Sequence, residues 1–366
     1  MSDFDPVNQW FESGFRIRRQ PTRNRRSPSS YSKDARRGGN IPTRGKVNIS
    51  SGAKARNVIN TVKRSPEVMV KITGNSRGMK EVKHHLDYIS RNGEVELVNE
   101  QGETITGSAQ LKDYKTELKA SQVPEHSNRR EFIHVMLSMP EGTEKEAFRQ
   151  SVMDFAKEEF SNRQYVVAIH NDTDHVHAHI NVNTRDIDRA DEPRLNPKKA
   201  DLQRWRQGFA DKLNGNGIDA ASSYRAARFN FRKPENGKVR QIRAGNPKSP
   251  VFNEKRVNEK GIPAHNRTPK VYDNLNRQMK GWIVEKNRPE NPAQKSLEAS
   301  RDKVIFAWHK VAENLDKSGD HGLANEVRGF VASADKPIIS RNQQLYDELT
   351  KVQSKEHAVD RGEHEL

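Results

Sequence analysis

With 366 residues the chain is long enough for two domains, but only 32% of them are hydrophobic and 31% are charged, and the mean hydropathy is -1.02. One compact domain with polar flanks is therefore expected. The formal net charge of +16 suits a polyanionic partner, nucleic acid before an anionic membrane surface. The absence of cysteine excludes disulfides, thiolate zinc fingers and thiol nucleophiles, and fits a reducing compartment.

No stretch is apolar enough to span a bilayer, and MSDFDPVNQWFESGF lacks the layout of a secretory signal. Residues 1–65 hold fifteen Lys/Arg against four Asp/Glu. Such a segment buries too little apolar surface to offset its ordering entropy, so a disordered basic tail is expected, either a solvated linker or a non-specific DNA-binding arm. At Pro66 the pattern changes. PEVMVKIT (66–73) reads as a strand. MKEVKHHLDYIS (79–90) reads as a helix, with Met79, Val82, Leu86 and Ile89 at three- and four-residue spacing. EVELV (94–98) alternates as a short strand, and a polar stretch follows. REFIHVMLSM (130–139) is a buried strand closed by Pro140 and Gly142. The next helix runs from Thr143, its expected N-cap, to Phe160, with a stripe of Phe148, Val152 and Phe155. QYVVAIH (164–170) and HVHAHINVNTRD (175–186) are strands joined by the turn-like NDTD. A helix from Pro197 to Leu213 stops at Gly215-Asn216-Gly217.

This order, β-α-β-β-α-β-β-α, predicts an α+β domain over 66–231, with a central antiparallel sheet flanked by helices. Residues 232–295 read as a basic linker, and 296–366 as a helical C-terminal region. There is no internal repeat.

HNDTDHVHAHINVN (170–183) places four histidines within ten residues. Strand side chains alternate between faces, so His175, His177 and His179 share one face and Val176, Ala178 and Ile180 the other. A hairpin brings His170 beside them. Two histidines separated by one hydrophobe, with a third on a neighbouring strand, make a three-nitrogen metal site that leaves coordination positions open, as catalysis requires. Unliganded surface or core histidines are the bland alternative. Asp172 and Asp174 can orient the imidazoles or merely shape the turn. No Gly-x-Ser-x-Gly elbow and no Walker A loop occurs.

Three stretches carry a family resemblance. EVKHHLDYISRNGEVEL (81–97) resembles the first motif of P-type conjugative relaxases, close to the relaxase that nicks T-DNA borders. IHVMLSMPEGT (133–143) resembles their second motif. HNDTDHVHAHINVN resembles the third, with the histidine-hydrophobe-histidine signature of HUH endonucleases. The motifs occur in the family's order, within about 65–230.

The resemblance implies a metal-dependent transesterase that nicks one DNA strand at an origin of transfer. It implies Tyr88 as nucleophile, Ser138 beside the scissile phosphate, His170, His177 and His179 around a divalent cation, Mg2+ or Mn2+, and Asp172 in support. The extra His175 leaves the ligand set open by one histidine. A free tyrosine titrates near 10, so a base or a cation has to activate it. His84, one helical turn from Tyr88, either reaches the same substrate or sits on a solvated helix face. Arg91 is a candidate phosphate contact. Trp205 on a basic helix, and Arg225 and Arg228 in SSYRAARFNFRK, suit single-stranded DNA, with rings stacking on bases and cations meeting phosphates; a packed amphipathic helix accounts for Trp205 equally well.

The implied partners are single-stranded or supercoiled plasmid DNA at the transfer origin, accessory relaxosome proteins, a type IV coupling protein and a separate helicase, in the cytoplasm of a donor bacterium and with passage into the recipient. The 296–366 region is a candidate for binding the coupling protein or for a secretion signal. Two alternatives are a rolling-circle replication initiator or transposase with the same chemistry, and a non-enzymatic DNA-binding accessory protein with a structural metal site.

Overall fold

The structure, a computed structural model, describes residues 51–120, 123–172, 175–187, 193–231 and 278–334 apart from 280, with short pieces between 338 and 351. The chain folds as two units, with the boundary between Tyr224 and Arg225.

In the first unit the described elements are α1 (Ser51–Val62), β1 (Met69–Ser76), α2 (Met79–Ser90), β2 (Leu97–Asn99), β3 (Thr104–Ile105), α3 (Gly107–Ala120), β4 (Phe132–Ser138), α4 (Lys145–Glu159), β5 (Tyr165–His170), β6 (His177–Asn183) and α5 (Lys199–Gly215). Six strands form one sheet in the order β1-β4-β6-β5-β2-β3, and each pairing is antiparallel. The expected α+β class, an antiparallel sheet flanked by helices, is what the chain adopts.

Strand alternation gives the sheet two unlike faces. Ile133, Val135 and Leu137 of β4 and Ala178, Ile180 and Val182 of β6 pack with Phe148, Val152 and Phe155 of α4 and Trp205, Phe209 and Leu213 of α5 in one cluster. On the opposite face Phe132, Val166 and Ala168 pack with Met79, Val82, Leu86 and Ile89 of α2 and with Leu111, Tyr114 and Leu118 of α3. The α2 stripe is fully buried, worth roughly 1.5–3 kcal/mol per side chain. By the same alternation His134, Ser138, His170, His177 and His179 share this second face.

Several expectations need correction. Part of the expected 1–65 tail, Ser51–Val62, is helical. It buries Ala53, Val58 and Val62 and is tied down by two asparagines: the Asn57 amide donates to Ser222 O at 3.2 Å, and that of Asn60 donates to Asn214 Oδ1 at 2.7 Å and Ala220 O at 2.9 Å. The polar stretch after residue 98 holds β3 and α3. Glu144, not Thr143, caps α4, its carboxylate accepting from the amides of Glu146 and Ala147; the Thr143 hydroxyl donates back to Pro140 O at 2.8 Å. The last strand begins at His177 rather than His175.

At the β4 end remote from Ser138, the buried Glu131 carboxylate takes Arg194 at 2.7 Å and Arg185 at 3.3 Å. Nearby the buried Arg163 donates to Thr184 O. Under the helices Arg204 pairs with the buried Glu159.

The second unit contains α6 (Gln294–Lys317) and α7 (His321–Ala332), a helical hairpin consistent with the helical C-terminal region expected there. Asp320 caps α7 by accepting from Leu323 N. The buried Trp308 indole donates to Ala227 O at 2.8 Å and meets the Phe330 ring edge-on. Residues 1–50, and 232–277 of the expected linker, lie outside the described residues. No helix among the described residues is long and apolar enough to cross a membrane.

Candidate active site

The β5–β6 hairpin sets His170 directly across from His177. On the other flank of β6, Ser138 of β4 lies across from His177 and Met136 across from His179. Two strand registers thus assemble His170, His177 and His179, whose nearest ring nitrogens all lie within 4.8 Å of one another. His170 and His179 are buried and His177 is half-buried.

The donor set fits a metal ion. The His170 Nε2–H donates to the Ile89 carbonyl at 2.7 Å, and the His177 Nδ1–H donates to the His175 carbonyl at 3.2 Å. Each bond fixes a tautomer in which the other ring nitrogen carries the lone pair, the arrangement typical of metal-binding imidazoles. The buried His179 Nδ1 has no hydrogen-bond partner. Burial, followed by the like charges of His170, His177 and His85, brings the His179 pKa down to about 3. Burial also lowers that of His170, against its bond to the Ile89 carbonyl. Neutral imidazoles are the protonation state a cation needs.

His175 is outside this triad. It is exposed, and its Nδ1 accepts from Glu141 N at 3.2 Å. Asp172 does not hold a ligand imidazole in this structure. Its carboxylate pairs with Arg91, and the Ile89 carbonyl holds His170 instead. Asp174 lies outside the described residues.

Tyr88 is on the last turn of α2 and is 66% exposed. Its ring meets His179 edge-on, with centroids 6.0 Å apart. The Ile89 carbonyl that binds His170 belongs to the next residue, so one turn of helix touches the triad from two sides. The helix stops there because Arg91 adopts a left-handed conformation, φ 50°. Gly93 follows at φ +100°, where a Cβ would lie 2.6 Å from the Gly107 carbonyl carbon. Glycine is the residue that this backbone and this close approach both permit. The tight turn carries Arg91 to Asp172. Ser138 is buried, its hydroxyl 3.5 Å from Met139 O.

Trp205 cannot stack on a base. It is fully buried, and its indole Nε1–H donates to Glu159 Oε1. Arg225 and Arg228 are half-buried and belong to the second unit; Arg225 donates to Asn230 Oδ1 at 3.0 Å.

Sequence reasoning raised His84 and His85 together but gave a candidate substrate contact to His84 alone. His84 is exposed. His85 turns inward and stacks face to face on His134, with centroids 3.4 Å apart and planes 5° off parallel. Burial lowers the pKa of His85 to about 3, with His134 adding to the effect. Burial likewise lowers that of His134 to about 4, with His179 adding. The available signal was parity, since His134 falls on the same face of β4 as Ser138.

Residues 88–214, from the candidate nucleophile to the end of α5, match the family model for the relaxase, MobA/VirD2-like, nuclease domain. That match covers about a third of the chain and takes in the second and third of the motifs and the end of the first. Among solved structures, the chain is similar to the conjugative relaxase TrwC in complex with mutant oriT DNA, at 10% identity with a TM-score of 0.28, over 64% of this chain and 89% of that one. No curated protein matches the chain.

Proposed function

We propose that the protein is a conjugative DNA relaxase that nicks one strand at an origin of transfer through Tyr88. The observation that carries this reading is the exposed Tyr88 ring set edge-on against His179 of the histidine triad. His170, His177 and His179 would hold a divalent cation, Mg2+ or Mn2+, which would supply positive charge to offset the negative charge developing at phosphorus and would favour the phenolate.

The Tyr88 oxygen attacks phosphorus, forming a tyrosyl O–P bond as the P–O3′ bond breaks. The phenol proton leaves, and the departing 3′ oxygen gains one. One phosphodiester replaces another, so a 3′ hydroxyl can attack the phosphotyrosine and rejoin the strand without a nucleoside triphosphate. The exposure of Tyr88 lets an unpaired strand reach it. Ser138, across from His177, lies beside the phosphate, and Arg91 meets the adjacent backbone once released from Asp172. Asp172 therefore acts through Arg91. The protein works in the bacterial cytoplasm with accessory proteins, a separate helicase and a coupling protein, and passes with the strand into the recipient.

The test is incubation of the purified chain with supercoiled and single-stranded DNA of its own plasmid's transfer region, with and without Mg2+ or Mn2+. A denaturation-resistant adduct that needs metal and is absent in Tyr88→Phe is expected. Adduct formation by Tyr88→Phe would remove Tyr88 from the reaction. Tight DNA binding with neither nick nor adduct, even with the accessory proteins added, would favour a DNA-binding accessory protein.

A further inference from the structure

We infer that His85, clamped on His134, is the positioning residue that sets the plane of the Tyr88 ring. This rests on the reading of Tyr88 as nucleophile.

An exposed tyrosine on a helix has two free side-chain torsions and little to hold it. Two rings touch Tyr88 among the described residues: His179, edge-on at 6.0 Å, and His85, near-parallel at 6.1 Å and 25°. His179 belongs to the triad. His85 is thus the neighbour left to orient the ring. It lies three residues earlier on α2, which puts it on the same side of the helix. It also reaches His179, edge-on at 6.4 Å, so one imidazole borders both the nucleophile and a ligand.

His85 can hold another ring in place because it is itself held. Its partner His134 is fixed in three ways. The Ser76 hydroxyl hydrogen-bonds His134 Nε2 at 2.8 Å. The β1–β4 register slips between Ile72 and Gly74, which brings a glycine against the imidazole. A Cβ on Gly74 would lie 2.9 Å from His134 Nδ1, so the missing side chain is what admits the ring. The bulge, the glycine and the serine all come from β1, which contributes no residue to the triad. A third strand therefore supports the nucleophile through the sequence β1, His134, His85, Tyr88. Misplacing a reacting group by about 1 Å can cost on the order of 10²-fold in rate.

The test compares His85→Ala, His85→Phe and Gly74→Ala with the parent chain. Each is assayed for single-turnover adduct formation on a transfer-origin oligonucleotide, oligonucleotide affinity and calorimetric Mn2+ binding, with Tyr88→Phe as the control. His85→Ala should lower the rate constant at saturating DNA by about 10- to 100-fold, leaving both affinities within about twofold. His85→Phe, which keeps a flat ring, should restore most of the rate. Gly74→Ala, which displaces His134 without touching Tyr88 or the triad, should slow the reaction in the same way.

A full rate in both His85→Ala and Gly74→Ala would overturn the proposal. So would equal losses in His85→Phe and His85→Ala, because the nitrogens rather than the ring would then matter. Neither result affects the role of Tyr88, which stands or falls on the Tyr88→Phe control alone. Should His85→Ala fail to fold, the phenylalanine and glycine variants decide the question.

Discussion

His170 on β5 and Ile89 on α2 are joined by a 2.7 Å hydrogen bond from imidazole Nε2–H to backbone carbonyl, and this bond couples the metal-binding hairpin to the helix that bears Tyr88. An imidazole held by a carbonyl is oriented before any ion arrives. The carbonyl belongs to a helix terminus, where such groups lack intrahelical partners, so the bond satisfies both sides.

Replacing a triad member should therefore act on metal binding before it acts on the fold. His179→Ala should weaken Mn2+ binding by at least about 10²-fold, since altering even the groups behind the ligands costs 10–100-fold. Calorimetric titration of the purified chain checks this. Unchanged affinity would exclude His179 as a ligand.

The metal-free protein should lose stability in mild acid. His85 and His179, brought to about 3, and His134, brought to about 4, all have folded values below the ordinary histidine value of about 6.5. The unfolded chain then binds more protons, so stability rises with pH across this interval and falls as pH drops below about 6.5 toward 3–4. Thermal melts in chelator from pH 7.5 to 4.5 should show a steady decline. His85→Phe should make it shallower. A flat profile would contradict the buried, neutral state of these rings.

Trp205→Phe should destabilise the fold by roughly 1–3 kcal/mol, because it leaves the buried Glu159 carboxylate short of a donor. Affinity for single-stranded DNA should not change, since Trp205 has no exposed surface. Urea denaturation and fluorescence anisotropy separate the two effects. A loss of DNA affinity without a loss of stability would restore the stacking role that the structure removes.

Arg91→Ala should weaken oligonucleotide binding by a similar factor across sequences and reduce the salt slope by about 1, the signature of one phosphate contact. Binding isotherms at several salt concentrations measure this. An unchanged slope would mean that Arg91 serves only its pair with Asp172.

Much of the fold and the triad was legible because alternation and helical spacing are local. The Val176–Ala178–Ile180 row is apolar and the His177–His179 row is not, and no other register buries the first. The Met79–Val82–Leu86–Ile89 stripe was equally plain. Helix α3 escaped because its buried side chains, Leu111, Tyr114 and Leu118, are helically spaced but few within a polar sequence, and α1 because it continues a basic stretch and half of its buried side chains are polar. Trp205 carried its own warning, lying four residues before Phe209 and eight before Leu213, on one helix face. The His85–His134 stack has no local signature. It needs β1 beside β4 and α2 across both, an association of residues about fifty positions apart in the chain.

The arginines around Glu131 and Glu159 bear on ionic strength. Arg185, Arg194 and Arg204 neutralise buried carboxylates, and Arg163 is buried on a backbone carbonyl. Arg204 and Arg163, the most enclosed of these, are poorly placed to displace counterions from a polynucleotide. The formal +16 already sets each of these carboxylates against one cation, so the pairing leaves the net charge unchanged and decides instead which cations face outward. The salt sensitivity of the folded unit's association with DNA will follow the outward-facing cations such as Arg91, and two chains of equal net charge but different internal pairing will differ in how quickly added salt releases them.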